Sequence, residues 1–226
     1  MILAVTGGKG GVGKSTVAYN LAAHLDGVVV DGDLGMADLP AAQGPDLHDV
    51  LAGRADPVEA VREGGPVAIL PCGRTLAGAR ASDLTDFVAT IEAIERAYGT
   101  VVVDSPAGLR ADVGLPLFAA DGCVLVTTPD ASALADALRV RALARELDAG
   151  LVRVVLNRAT DAAAVESVAD RLGAPVITVP DDDAIARAQA AGQPVHRALP
   201  ESDANPAFET LANAVDREVR PKRHRT

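Results

Sequence analysis

Residues 2–16 read Ile2-Leu3-Ala4-Val5-Thr6-Gly7-Gly8-Lys9-Gly10-Gly11-Val12-Gly13-Lys14-Ser15-Thr16. An apolar run empties into a G-x-x-x-x-G-K-[ST] loop, and an apolar-periodic stretch, Val17, Leu21 and Leu25, follows at once. Strand, glycine loop and helix in that order are the sequence form of a phosphate cradle. Glycines adopt backbone angles that side chains forbid, so successive N–H groups can turn into one concavity. A helix starting at Lys14–Ser15 adds partial positive charge at the same point. Lys14 is then placed for the outer phosphates of a nucleotide, and the Ser15 hydroxyl for Mg²⁺, which takes oxygen ligands. A glycine-rich turn that matches by chance is the plain alternative, and it leaves the order of elements unexplained.

The loop holds a second lysine, Lys9. The chain has only three lysines, Lys9, Lys14 and Lys222, and arginine fills the other basic positions. A lone lysine is usually solvated, but two of the three stand in one loop. Lys9 cannot easily serve the same phosphates from the side of Lys14, so it is a candidate to reach a nucleotide on a second subunit.

The run Lys9-Gly10-Gly11-Val12-Gly13-Lys14-Ser15 resembles the deviant loop of the MinD/ParA ATPases, most of all the MinD-like proteins. The resemblance implies an α/β P-loop NTPase with a mostly parallel twisted sheet and helices on both faces. It implies ATP and Mg²⁺ as cofactors, with Gly8, Lys9, Gly10, Gly11, Val12, Gly13, Lys14, Ser15 and Thr16 around the nucleotide. It also implies a homodimer on ATP binding, in which Lys9 joins Lys14 and Asp33 as a catalytic group by completing the partner's site.

Two apolar strands end in carboxylates. Val30-Asp31-Gly32-Asp33 puts two acids at i and i+2 on an extended stretch, so both leave on one side. A pair of turn aspartates is the bland reading. The family pattern makes this the first switch, with Asp33 orienting the hydrolytic water and Asp31 supporting magnesium. Val103-Asp104-Ser105-Pro106-Ala107-Gly108 resembles the second switch, with Asp104 on Mg²⁺ and the Gly108 N–H toward the γ-phosphate. Asp38 stands where MinD-like proteins often have asparagine, a departure from the pattern.

An asparagine amide offers one acceptor and two donors, enough to read both edges of an adenine array. Asn157-Arg158, after the run 152–156, and Pro180-Asp181-Asp182, after 175–179, resemble the family's adenine contacts. Asn157 as a helix cap for 161–172 is the alternative from the residues alone. The resemblance continues through Ala186, Gln189, Gly192, Gln193, Pro194 and Val195. No Asn-Lys-x-Asp guanine signature appears, so ATP is favoured over GTP.

Apolar strands are expected at 2–6, 28–31, 67–70, 100–104, 122–127, 152–156 and 175–179. Helices are expected at 14–25, 46–52, 82–97, 112–119, 130–148, 161–172, 183–191 and 206–219. Continuous apolar strands separated by helices imply a parallel sheet covered on both faces. The 226 residues suit one domain over 1–219, with a basic flexible tail at 220–226. Residues 32–45 read as a loop.

Net charge is −10, with aspartate well above glutamate, a composition that suggests a salt-rich cytoplasm. There is no 18-residue apolar run, and the first strand starts at residue 2, so a cytoplasmic location is expected. Cys72 and Cys123 lack ligand spacing and read as reduced, buried small hydrophobes. The stripe Phe208, Leu211, Val215 and Val219 fits core packing better than insertion into a membrane surface. Membrane anchoring and non-specific DNA binding through the tail are both disfavoured. A protein activator or cargo adaptor is expected, with helix 130–148 and its Arg139, Arg141 and Arg145 as a candidate face. The function expected is an ATPase switch in placing a division site, chromosome, plasmid or surface organelle. The alternatives are a non-hydrolysing ATP-binding adaptor, or a metallochaperone or ligase of the same superfamily.

Overall fold

The structure, a computed structural model, describes residues 1–34, 44–73, 75–108, 114–159 and 162–219. Seven strands form one sheet: β1 Ile2–Thr6, β2 Val28–Asp31, β3 Ala68–Leu70, β4 Val101–Asp104, β5 Gly122–Thr127, β6 Gly150–Asn157 and β7 Val176–Val179. Their order is β3-β2-β4-β1-β5-β6-β7, and every neighbouring pair is parallel. The valine-rich runs supply this sheet because β-branched side chains pack well on a pleat buried on both sides.

Ten helices among the described residues cover it: α1 Lys14–His24, α2 Leu47–Leu51, α3 Leu76–Ala81, α4 Phe87–Tyr98, α5 Gly114–Ala119, α6 Ala131–Glu146, α7 Ala162–Leu172, α8 Asp183–Ala190, α9 Val195–Ala198 and α10 Asn205–Glu218. Strand alternation divides the core between two faces. Leu3, Val5, Val29, Val102 and Val124 pack with α1 and α10, burying Val17, Leu21, Phe208 and Leu211. Ile2, Ala4, Val28, Val30, Val101 and Val103 face the other way, against Leu47, Phe87, Ile91 and Ile94. Leu125, Val154 and Leu156 extend that second face to α6 and α7. The α10 stripe is core, with Phe208 and Val215 fully buried.

All seven expected strands are present, β6 beginning two residues earlier than anticipated. The helix expected at 82–97 is divided. A 3-10 turn, Leu84–Asp86, precedes α4 because the Asp83 carboxylate accepts from the Thr85 N–H and fixes the chain before the helix proper. Two short helices were not anticipated. Thr75 caps α3 by accepting from the Gly78 N–H, and α9 is one turn after Pro194. Neither is long enough to show an apolar period. Asp38, most of the 32–45 loop, Lys222 and the 220–226 tail lie outside the described residues. Both cysteines are buried thiols outside any disulfide. No described helix is long and apolar enough to cross a membrane.

Candidate functional site

In an open parallel sheet, ligands bind beyond the carboxyl ends of strands where the winding reverses. Here β1 lies between β4 and β5, and the chain leaves β1 through the glycine loop. Gly13 is the N-cap of α1 at φ 101°, a left-handed angle that a side chain would strain, and no side chain caps the helix. The first N–H groups of α1 are therefore left for a ligand. They open into a cavity of about 420 Å³ lined by Gly10, Gly11, Gly13, Lys14, Ser15, Thr16, Asp33, Ala107, Arg158 and Gln189.

The loop is wedged from behind. A Cβ on Gly7 would lie 2.5 Å from the Val126 carbonyl oxygen, and one on Gly8 would lie 2.6 Å from that of Asp136 on α6. The Asn157 Nδ2 donates to the Val12 carbonyl at 2.9 Å, and a Cβ on Gly13 would overlap that amide. The end of β6 thus props the crest of the loop. Arg158 follows at φ 58°, its N–H donated to the Val179 carbonyl, and its side chain joins the cavity wall.

Asp31 and Asp104 are register partners at the ends of β2 and β4, 0% and 2% exposed. Asp33 stands forward of them on the cavity wall, and its N–H donates to Asp31 Oδ1 at 3.2 Å. Thr6 Oγ1 and Ser105 Oγ are buried beside these strand ends without hydrogen-bond partners among the described residues. The donor set is hydroxyl and carboxylate oxygen, which suits Mg²⁺. Among the described residues no group of three His, Cys, Asp or Glu side chains converges as a metal cage. Mg²⁺ needs no such cage, since it keeps waters and shares phosphate oxygens.

The sequence-derived residues divide by position. Gly10, Gly11, Gly13, Lys14, Ser15, Thr16, Asp33 and Arg158 line the cavity. Gly8, Val12 and Asn157 support the loop from behind, and Gly108, at φ 94°, ends the described part of the β4 exit. Lys9 is exposed, and its ammonium donates to Ser132 Oγ on α6 of the same chain at 3.2 Å. Pro180 and Asp182 are not on the cavity wall. The Asp182 carboxylate accepts from the Ala184 N–H at 2.7 Å and from the Ser202 hydroxyl at 2.7 Å. Those two bonds, the backbone one first, hold its pKa below the usual carboxylate value.

The resemblance reached Gln189, Gly192 and Val195, but the three links they make to α1 had no signal in the sequence. Thr16 Oγ1 donates to Gln189 Oε1 at 2.9 Å, Tyr19 OH donates to the Gly192 carbonyl at 2.7 Å, and the Val195 N–H donates to Asn20 Oδ1 at 2.8 Å. Each joins α1 to α8, α9 or the turn between them across more than 170 residues.

Residues 3–195 match the model of the CobQ/CobB/MinD/ParA nucleotide binding domain. The chain belongs to the MinD/ParA family. An uncharacterised ATP-binding protein of Methanocaldococcus jannaschii is 32% identical over 225 residues, covering 93% of this chain and 85% of the relative. The cell division ATPase MinD of Pyrococcus furiosus superposes with a TM-score of 0.87 at 30% identity, covering 95% of this chain and 98% of that one. The septum site-determining protein MinD of Pyrococcus horikoshii, complexed with Mg-ADP, gives 0.87 at 30% identity over 96% of each chain. Membership in the MinD/ParA family accounts for the paired lysines of the loop and for two strands that end in aspartate side by side.

Proposed function

We propose that this protein is an ATP-dependent dimerising switch that hydrolyses ATP to ADP and phosphate and takes part in positioning a cellular cargo. The observation that carries the reading is the uncapped N-terminus of α1, opening into a cavity that has Lys14 and Asp33 on its walls. The Mg-ADP complex of the Pyrococcus horikoshii relative supports the ligand, and the cell-division names of both Pyrococcus relatives support the positioning role.

In this reading the N–H groups of Gly10 to Thr16 and the Lys14 ammonium bind the phosphates. Ser15, Asp31 and Asp104 hold Mg²⁺, which supplies positive charge against the charge that builds on the phosphoryl oxygens. The Asp33 carboxylate, forward of the buried pair, orients the attacking water. Gly108 meets the γ-phosphate. Asn157 and Arg158 bound the base side, with Pro180 and Asp182 beyond them. Lys9 exchanges Ser132 for the nucleotide of the partner subunit. Catalysis of this kind is positioning and electrostatics, so basal turnover is slow and a protein activator is expected.

Light scattering on the eluting protein, with and without ATP and Mg²⁺, tests the scheme. Asp33→Ala is expected to remain dimeric in ATP, while Lys9→Ala and Lys14→Ala stay monomeric. An Asp33→Ala protein that stays monomeric in saturating ATP overturns the switch.

A further inference from the structure

His48 lies on α2, between the segments that leave β2 and β3, and is 2% exposed. Its Nε2 is 3.1 Å from the Leu34 carbonyl oxygen and 3.6 Å from Cys72 Sγ. The helix beneath it is held at both sides. Asp46 and Asp49 form a reciprocal capping box, and the Leu47 N–H donates to the Pro71 carbonyl at 2.9 Å. Two glycines make room for the ring. A Cβ on Gly73 would overlap it, and one on Gly78 would lie 3.1 Å from Nδ1.

These contacts fix the tautomer. A carbonyl oxygen only accepts, so Nε2 carries the hydrogen. Burial, and after it the Asp31 carboxylate, pushes the Cys72 thiol up to about 12, so Cys72 keeps its proton and is only a weak donor or acceptor, at 3.6 Å a lesser partner for Nε2 than the carbonyl at 3.1 Å. Nδ1 is buried with no hydrogen-bond partner among the described residues. Aromatic packing alone would be served by an apolar ring, which leaves no orphaned nitrogen. What the imidazole adds is one directed N–H, spent on the backbone of residue 34.

Leu34 directly follows Asp33. The Asp33 N–H goes to Asp31 Oδ1 and the Leu34 N–H to the Gly32 carbonyl at 3.1 Å, so this short segment is tied to β2 on its near side. The His48 bond is a tie from another element. We propose that His48 is a positioning residue for hydrolysis, whose Nε2–H holds the Leu34 carbonyl and so sets the direction of the Asp33 carboxylate in the cavity. This rests on the reading of Asp33 given above.

The test compares His48→Gln, His48→Asn and His48→Leu with the parent in two assays: steady-state ATP hydrolysis, and amide hydrogen exchange over residues 31–34 without nucleotide. Glutamine puts an amide N–H at the place of Nε2, whereas asparagine stops at the place of Nδ1. A displacement of the order of 1 Å can lower a rate by up to ~100-fold. His48→Asn and His48→Leu are therefore expected to lower kcat about tenfold or more, with KM for ATP little changed, and to speed exchange at Asp33 and Leu34. His48→Gln should recover most of both. If the leucine variant does not fold, the Gln–Asn pair carries the comparison. Equal kcat and equal exchange in Gln and Asn overturn the role of His48 while leaving the ATPase intact. A rise in KM at parental kcat overturns it too. A parent that turns over no ATP, alone or with cell extract, instead removes the enzymatic reading of Asp33 and the proposal with it.

Discussion

The two walls of the cavity are built differently. The phosphate wall is one contiguous stretch, Gly10 to Thr16, shaped by backbone angles and wedged against β5, β6 and α6. Gln189 also lines the cavity, and the segment from it to Val195, from the far end of the chain, meets α1 through three single hydrogen bonds. A wall made of main chain has no alternative arrangement without breaking the loop. A wall hung on separate side-chain bonds can lose one and keep the others, since each contributes only about 1 kcal/mol net. The contrast teaches that the glycine-loop side of the cavity is all-or-none, while the side tied to α8 and α9 is adjustable.

The sharpest attack on that contrast is Gly13→Ala. It forces a side chain to φ 101° and into the Asn157 amide, so the left-handed strain of ~1–3 kcal/mol is only part of its cost. Denaturant unfolding should show at least that loss, and titration with a fluorescent nucleotide should show binding abolished. Asn157→Leu removes the prop and leaves the buried Val12 carbonyl unsatisfied, a cost of ~1–3 kcal/mol in the same unfolding assay. Nucleotide affinity should fall with it, because the loop crest loses its support.

On the adjustable side, Tyr19→Phe deletes only the bond to Gly192, which lies behind Gln189 in sequence. It should cost ~1 kcal/mol in stability and change nucleotide affinity by no more than about threefold. A loss as large as that of Gly13→Ala would show the two walls to be equally stiff. The smallest effect is a pH dependence. His24 on α1 and His196 on α9 have ring centroids 4.5 Å apart, and burial, with neighbouring positive charge second, lowers both pKa values. Arg197 opposes protonation of His196 and Asp26 favours it, while Glu209 favours that of His24. A histidine with a depressed folded pKa contributes stability that is whole above the unfolded value of about 6.5 and lost as pH falls below it. Thermal unfolding should thus be level between about pH 7 and 8 and decline below about 6.5, with the decline reduced in His196→Gln.

The phosphate wall was legible because its determinants are neighbours in sequence. The strand Ile2–Thr6, the glycines and Lys14 act within one turn of chain, and backbone freedom at Gly10, Gly11 and Gly13 is a property of the residue itself. The carboxylates were legible for the same reason, each closing a valine run. The side-chain directions were not. The Asp182 carboxylate accepts within the α8 turn and from Ser202, twenty positions on, and no local pattern announces the second bond. Lys9 sits on Ser132, a pairing across 123 positions that no local pattern announces. The helices α3 and α9 were hidden because a turn or two of helix has no measurable period.

Sequence by itself determined the parallel sheet, the phosphate loop and the acids at the strand ends, since strand propensity, glycine freedom and apolar burial act over a few adjacent residues. Only the tertiary structure decided which polar groups pair across the cavity. Asn157 under Val12, Gln189 on Thr16 and His48 on Leu34 depend on distances set by the packing of whole helices onto the sheet, and that packing is a collective property of the core.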